Sequence, residues 1–419
     1  MNFYTLFILF FIGTEYVLTL AGNLLNLKAL QQDPPAQLID IYNNAEYRRS
    51  QQYTRDHIRL DLILDTFNLL ILLIFWFCHG FAWLDQIVRG WGYPDIVNGL
   101  IYIAILTLSY SLITLPFSIY STFVIEERYG FNRTTPRVFI MDKIKSMVLA
   151  ILLGMPLLAG ILALFEYGGS YAWLYCWIIS TLYLIVMEFI APTWIMPIFN
   201  KFTPLEDGGL KNAIFDYTNS VKYPIQNVYI IDGSRRSSKS NAFFTGFGRN
   251  KRIALFDTLI ARQSIDEIIA VLAHEIGHYK KGHIILGLFI SILHFGLLFF
   301  LLSLFINSVD LHRAFFINQP SIYTGIIFFG MLYTPVELFL SLFLNILSRR
   351  FEYEADRFAT ATLNQPGALI EALKKLSADN LSNLTPHPFY VFLHYSHPPL
   401  LNRIEAISRN IKTRESPTS

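Results

Sequence analysis

The sequence predicts an all-α membrane protein: seven transmembrane helices, and outside the bilayer a mostly α domain containing a small β-sheet. Three observations lead there. Hydrophobic residues make up 53% of the 419 and charged residues only 15%, with 36 Phe and 23 Tyr, a more apolar and less charged balance than a soluble domain carries. Seven runs have the length and apolar character needed to cross a hydrocarbon layer, which takes roughly 20 residues. Between the fifth and sixth of these lies a long mixed segment in which helical and extended patterns alternate.

The runs are 3–20, 62–83, 97–123, 147–165, 171–195, 284–306 and 321–347. The first lacks a basic start and a small-residue cleavage exit, so it reads as an uncleaved span. Domain organisation follows from the spacing: a five-span membrane domain over 1–195, a first extramembrane part over 196–283, spans six and seven within 284–347, and a second extramembrane part over 348–419. Short-loop basic residues set the orientation. Lys28, Arg48, Arg49, Arg55, Arg59, Arg128, Arg133, Arg137, Lys143 and Lys145 fall on one side, against Arg89 and Arg313 on the other. That bias places the N-terminus outside, and the 196–283 insert and the C-terminus in the cytosol. Glu15, Asp65, His79, Glu188, His294 and Glu337 lie within or at the ends of spans. Ionisable groups at that depth are costly unless they face protein or water, so the bundle is expected to have a hydrated interior.

Within the insert, 208–221 reads as a helix, "QNVYIID" at 226–232 as a strand, and "NAFFTGF" at 241–247 and "RIALFDTLI" at 252–260 as further extended runs, the last turning helical. From Ser264 the pattern is helical, with Ser264 as N-cap and Asp266 and Glu267 in the first turn. Beyond span seven, "SRRFEYEADRFATATL" and 366–378 read as helices, followed by a Pro- and His-rich loop and a frayed 411–419. The net charge of +2 gives no electrostatic footprint for nucleic acid. Cys78 and Cys176 each sit in an apolar run, form neither a disulfide framework nor a CxxC pair, and read as small buried hydrophobes.

The chemistry is concentrated in "VLAHEIGHYKKGH", 271–283. Helical spacing puts His274 and His278 one turn apart on one face, where two neutral imidazoles can hold one Zn²⁺ with Glu275 beside it to take a proton from water. A catalytic site needs a third protein ligand and an open position. His283 does not fit the HExxHxxGxxH register, because Lys281 and Ile284 stand where that pattern needs Gly and His. In "FEYEAD", Glu352 and Asp356 share a helix face: one can ligate while the other holds a ligand imidazole by its free N–H. Glu354 points elsewhere and is expected to be solvated. Taken alone, Glu352 and Asp356 would read as a charged helix start beside Arg349, Arg350 and Arg357. Joined to HExxH in a membrane chain, they read as metal-site residues.

Six blocks in order, "FVIEERYGFNRTT", "MPIFNKFTPLEDG", "SNAFFTGFG", "HEIGHYKKGH", "SRRFEYEADRFA" and "YSHPPLLNRI", together with the seven spans, resemble the type I CAAX prenyl protease family of membrane-integral gluzincin zinc metalloproteases. The resemblance covers nearly the whole chain. It implies a barrel-like chamber of seven helices, water-filled and closed on the cytosolic side by the protease domain. It implies one Zn²⁺ held by His274, His278 and Glu352, with Glu275 as general base and Asp356 supporting a ligand histidine. It further implies that Asn241 contacts the substrate backbone, and that His397 and Arg403 stabilise the tetrahedral intermediate and hold the substrate. The partners implied are the lipid bilayer and a peptide or lipidated protein substrate ending in Cys-aliphatic-aliphatic-X. Two other readings are a membrane quality-control protease of the heat-shock type, against which the five N-terminal spans argue, and a transporter with a structural zinc, which would fill all four coordination positions. The compact length and short 307–320 loop lean toward a bacterial inner membrane, with the endoplasmic reticulum membrane as the eukaryotic counterpart.

Overall fold

The computed structural model describes residues 2–30, 44–239, 242–245 and 252–415. α1 (Phe3–Ala29) begins at Asn2, whose Oδ1 accepts from Thr5 N at 3.0 Å, and runs well past the expected end of the first span. α2 (Asn44–Phe77) stops at a corner where His79 is left-handed (φ 62°). The last residues of the expected 62–83 run therefore belong to a separate helix, α3 (Gly80–Gly90), and Cys78 at the corner is exposed rather than buried. α4 (Asp95–Tyr120) continues through a widened, π-helical turn to Glu126. α5 (Pro136–Leu149) and α6 (Met155–Tyr167) are joined by another such turn. α7 (Ala172–Ile190) passes through a third into α8 (Met196–Phe199). Pro156 and Pro192 stand at the last two of these junctions, where a residue without an N–H loosens the helical ladder.

The insert follows. β1 (Phe202–Pro204), α9 (Gly209–Ser220), β2 (Asn227–Ile231), β3 (Ala242–Thr245) and β4 (Arg252–Phe256) lead into α10 (Asp257–Arg262) and α11 (Ile265–Lys280). Among the described residues the sheet has four strands in the order β1-β2-β4-β3; β2 and β4 are parallel and the other pairs antiparallel. β1 escaped the sequence reading because three residues ending in proline carry no alternating pattern. The helices that follow among the described residues are α12 (His283–Phe305), α13 (Val309–Ala314), α14 (Ile322–Leu332), α15 (Thr334–Thr362), α16 (Gly367–Asp379), α17 (Pro388–His394) and α18 (Leu400–Glu415). The expected loop after α16 thus contains α17 and the first half of α18, and the segment expected to fray is helical as far as Glu415. Span seven is α14 plus α15, bent by 52° where Pro335 enters the first turn of α15.

The spans close into a ring. α1 packs on α2, α2 on α4, α4 on α6, α6 on α7, α7 on α12 and α12 on α14, while α14 and α15 return to α1. Its wall is one helix thick. Between 6% and 17% of each unbent span's most apolar stretch is buried, and Thr107 through Ile113 are exposed all the way round α4. A helix in a solid bundle hides a face; one exposed on every side has lipid outside it and a hollow within. At one end α3, α13 and α14 fill the ring with an apolar core that includes Trp76, Phe81, Tyr102, Phe315 and Phe328. The other end carries the sheet and α11, and a second core, with Ile253, Leu255, Ile268, Leu272, Ile276, Ala359 and Ile407, holds that domain together.

Candidate active site

Ser264 caps α11 with a reciprocal capping box: Glu267 Oε2 accepts from Ser264 N at 2.8 Å, and Ser264 Oγ accepts from Glu267 N at 3.4 Å. Ile268, Leu272 and Ile276 recur at helical spacing and enter the core, which fixes the rotation of α11 and turns His274 and His278 toward α15. The approach is close because residue 277 is glycine. A Cβ there would lie 3.0 Å from both Cα and the carbonyl oxygen of Ala355. Across that contact sits Glu352, 3% exposed.

His274 Nε2 and His278 Nε2 lie 3.2 Å apart. Glu352 Oε2 is 3.4 Å from the first and Oε1 is 3.3 Å from the second. One ligand atom from each of the three residues falls within 4.8 Å of the others. The donor set suits a divalent cation by its own proton inventory. Asp356 Oδ1 lies 2.8 Å from His274 Nδ1 and, as a carboxylate, can only accept, so the neutral ring carries its proton on Nδ1 and aims a bare lone pair from Nε2 at the shared point. Glu352 Oε2 is buried yet, among the described residues, makes no hydrogen bond of its own. Two imidazoles and one carboxylate leave a fourth position for solvent or substrate, the pattern of a catalytic zinc rather than a structural one. Burial pushes the His274 imidazole down, but Asp356 and Glu352 outweigh it and hold it raised to about 9, so a cation taking Nε2 has to displace a proton there. A cavity of about 1300 Å³ opens at this point. Glu275 and His397 line it on the site's side, and Leu184, Met187, Ile290 and Leu344 line it on the membrane side.

Residues 204–411 match the peptidase family M48 model, and residues 23–201 match the CAAX prenyl protease N-terminal model, described as five membrane helices. The chain belongs to peptidase family M48. The CAAX prenyl protease 1 homolog of Arabidopsis thaliana is 38% identical over 385 residues, spanning 89% of this chain and 90% of that one. Its human counterpart is 34% identical, spanning 89% and 88%. The crystal structure of S. mikatae Ste24p superposes with a TM-score of 0.92 at 33% identity, over 97% of this chain and 99% of that chain. The molecule is therefore a multi-pass membrane metallopeptidase of the M48 family.

The remaining site residues of this M48 peptidase extend the motif. Burial lifts the Glu275 carboxyl above the ordinary carboxylate range. Arg403, on α18, is buried. Its Nε and Nη2 grip Asp356 at 2.9 and 2.7 Å, and Nη1 lies 3.3 Å from Glu352 Oε2. His397 stands exposed at the rim with Nε2 3.4 Å from Glu352 Oε1. β3 is an edge strand of the sheet and packs against α11; Asn241, expected to open that strand, lies outside the described residues.

Some functional contacts went unread in the sequence. Glu354 is not simply solvated: its Oε2 lies 3.2 Å from His283 Nε2. Arg349, on α15, donates from Nη1 to the carbonyls of Val391 and Tyr395, at 3.2 and 2.5 Å, pinning the segment that leads to His397. Asn26 of α1, 1% exposed, accepts from His387 N at 3.0 Å. A lone Asn near the end of an apolar run carries no signal of a partner more than 350 residues away, so this contact could not be read beforehand.

Proposed function

We propose that this chain is a zinc endopeptidase that cuts membrane-associated substrates, prenylated CAAX-type proteins among them, near their C-terminus. The observation that carries the reading is the meeting of His274, His278 and Glu352 at the mouth of a cavity whose other wall is intramembrane and mostly apolar, with Glu188 among its side chains. His274, His278 and Glu352 would hold one zinc ion, which when bound supplies Lewis acidity for the scissile carbonyl and for water. Glu275 accepts a proton on its carboxylate and returns it to the leaving amine nitrogen, a task its raised pKa suits. His397 Nε2 donates to the carbonyl oxygen as negative charge gathers there. Asp356 holds His274, and Arg403 holds Asp356 and Glu352 while keeping positive charge at the substrate side of the site. An extended peptide adds along the free edge of β3, with Asn241 at its start.

The relatives named above come from a plant and an animal, which favours a eukaryotic endomembrane over the bacterial inner membrane suggested by the short 307–320 loop. The positive-inside bias puts the site in the cytosol. The domain division at 195, 283 and 347 stands as part of the same reading. Purified protein in nanodiscs, offered a farnesylated CAAX peptide and the same peptide without the isoprenoid, should cleave the first at least tenfold faster. Equal rates would limit the substrate class to membrane peptides in general, and no cleavage of either would remove the CAAX assignment.

A further inference from the structure

Among the described residues, no carboxylate holds His278 Nδ1 as Asp356 holds His274, and the corner after α11 supplies a substitute. Gly282 takes a left-handed conformation (φ 74°) that turns the chain sharply, so His283, the first residue of α12, folds back on the metal helix. His283 Nδ1 lies 3.0 Å from His278 Nδ1. His283 Nε2 lies 3.2 Å from Glu354 Oε2, and Glu354 Oε1 accepts from Arg350 Nε at 3.0 Å. The ring is 7% exposed and stacked on Phe351, with centroids 4.1 Å apart and planes 9° from parallel. Its orientation is fixed on every side.

We infer that His283 and Glu354 form a positioning relay that sets the tautomer and ring angle of His278 for metal binding. The direction of each bond follows from its fixed end. A carboxylate can only accept, so His283 carries its proton on Nε2 and gives it to Glu354. A neutral His283 then offers a lone pair on Nδ1, so His278 must carry its proton on Nδ1. That leaves His278 Nε2 bare and facing His274 Nε2. The reverse direction would put the proton on His278 Nε2 and block coordination. One ligand imidazole is thus held by a carboxylate directly and the other through an intervening imidazole, with both carboxylates on α15. Partners of this kind raise ligand basicity, and their loss weakens a metal site about 10- to 100-fold.

The inference rests on the reading of His278 as a metal ligand, and the test separates the two. Zinc affinity is measured by chelator competition on full-length protein in detergent, with folding followed by circular dichroism. His283→Ala and Glu354→Ala should each weaken zinc about 10- to 100-fold. His283→Gln can accept through Oε1 and donate through Nε2, and should stay within about threefold of the native chain. Because the two residues act in series, the double variant His283→Ala/Glu354→Ala should be no weaker than His283→Ala alone, whereas independent structural roles would multiply. Native affinity in folded His283→Ala, a Gln variant as weak as the Ala variant, or multiplied losses would each overturn the relay. Should His283→Ala fail to fold, His283→Gln and Glu354→Ala carry the test. His278→Ala is the reference: if it keeps native zinc affinity, the metal-site reading itself fails, and if it alone loses zinc, only the relay does.

Discussion

Ionisable side chains crowd the seam between α11, α15 and α18, and none could be buried there alone. Arg403, Asp356, Glu352 and His274 are each under 10% exposed, and each has an ionic or hydrogen-bonding partner from the set within 3.4 Å. Removing one partner from such a set typically costs about 3–5 kcal/mol, so these residues hold the domain together as well as the metal position. Glu275 differs: it is raised by burial and faces the cavity without an ion pair in that set. Glu275→Gln should therefore leave melting temperature and metal content unchanged while lowering cleavage at least about 100-fold, read as kcat on a fixed peptide. Cleavage within tenfold of the native rate would take Glu275 out of the reaction. At this scale the sequence was legible wherever spacing on one helix carries the information, as with His274, His278, Glu352 and Asp356. It was not legible where a partner reaches in from another helix, as Arg349 and Asn26 do, or where one residue does unexpected work, as Glu354 does.

Elements matter here mainly through how closely they approach. The α11–α15 seam depends on Gly277 lying against the backbone of Ala355, and the flexible end of a side chain is not what stands in the way. Gly277→Ala should push the two helices apart by a few tenths of an ångström, destabilise the chain by about 1–3 kcal/mol and weaken zinc binding, because Glu352 moves away from both imidazoles. Thermal melting with chelator competition reads both effects, and native values for both would show that the seam has slack. α1 serves a second purpose besides crossing the bilayer. Its Asn26 bonds the backbone ahead of α17, and its Gly22 leaves room for Leu393 and His394 of that helix. The helical patterns of α9, α11 and α16 were readable from periodicity. α17 was hidden because its flanking prolines and histidines look like loop, yet Pro388 sits in the first turn, where a missing N–H costs nothing.

For the whole molecule, the apolar runs gave the rough placement of the spans, six of them single helices and the seventh a bent pair among the described residues. The ionisable residues within them pointed to a hydrated interior, whereas the ring itself came only as what the family resemblance implies. Apolar runs say that a helix meets lipid; they do not say whether its other face meets protein or a hollow. The bend between α14 and α15 also lay beyond composition, since proline marks a possible break without giving its angle. The hollow is open to test with single cysteines at each position from Thr107 to Ile113 in a background lacking Cys78 and Cys176. Positions facing the chamber should react with membrane-impermeant thiol reagents, while those facing lipid stay protonated and unreactive; no reactive position among the seven would mean a packed bundle instead. Everything chemical, though, depends on side chains from two helices, separated by a membrane crossing and its return, meeting at one point fit for a metal. Zinc content of the purified protein tests that most directly. It should be close to one ion per chain in the native protein and fall well below half of that in Glu352→Ala, whereas a full complement of zinc in Glu352→Ala would contradict it.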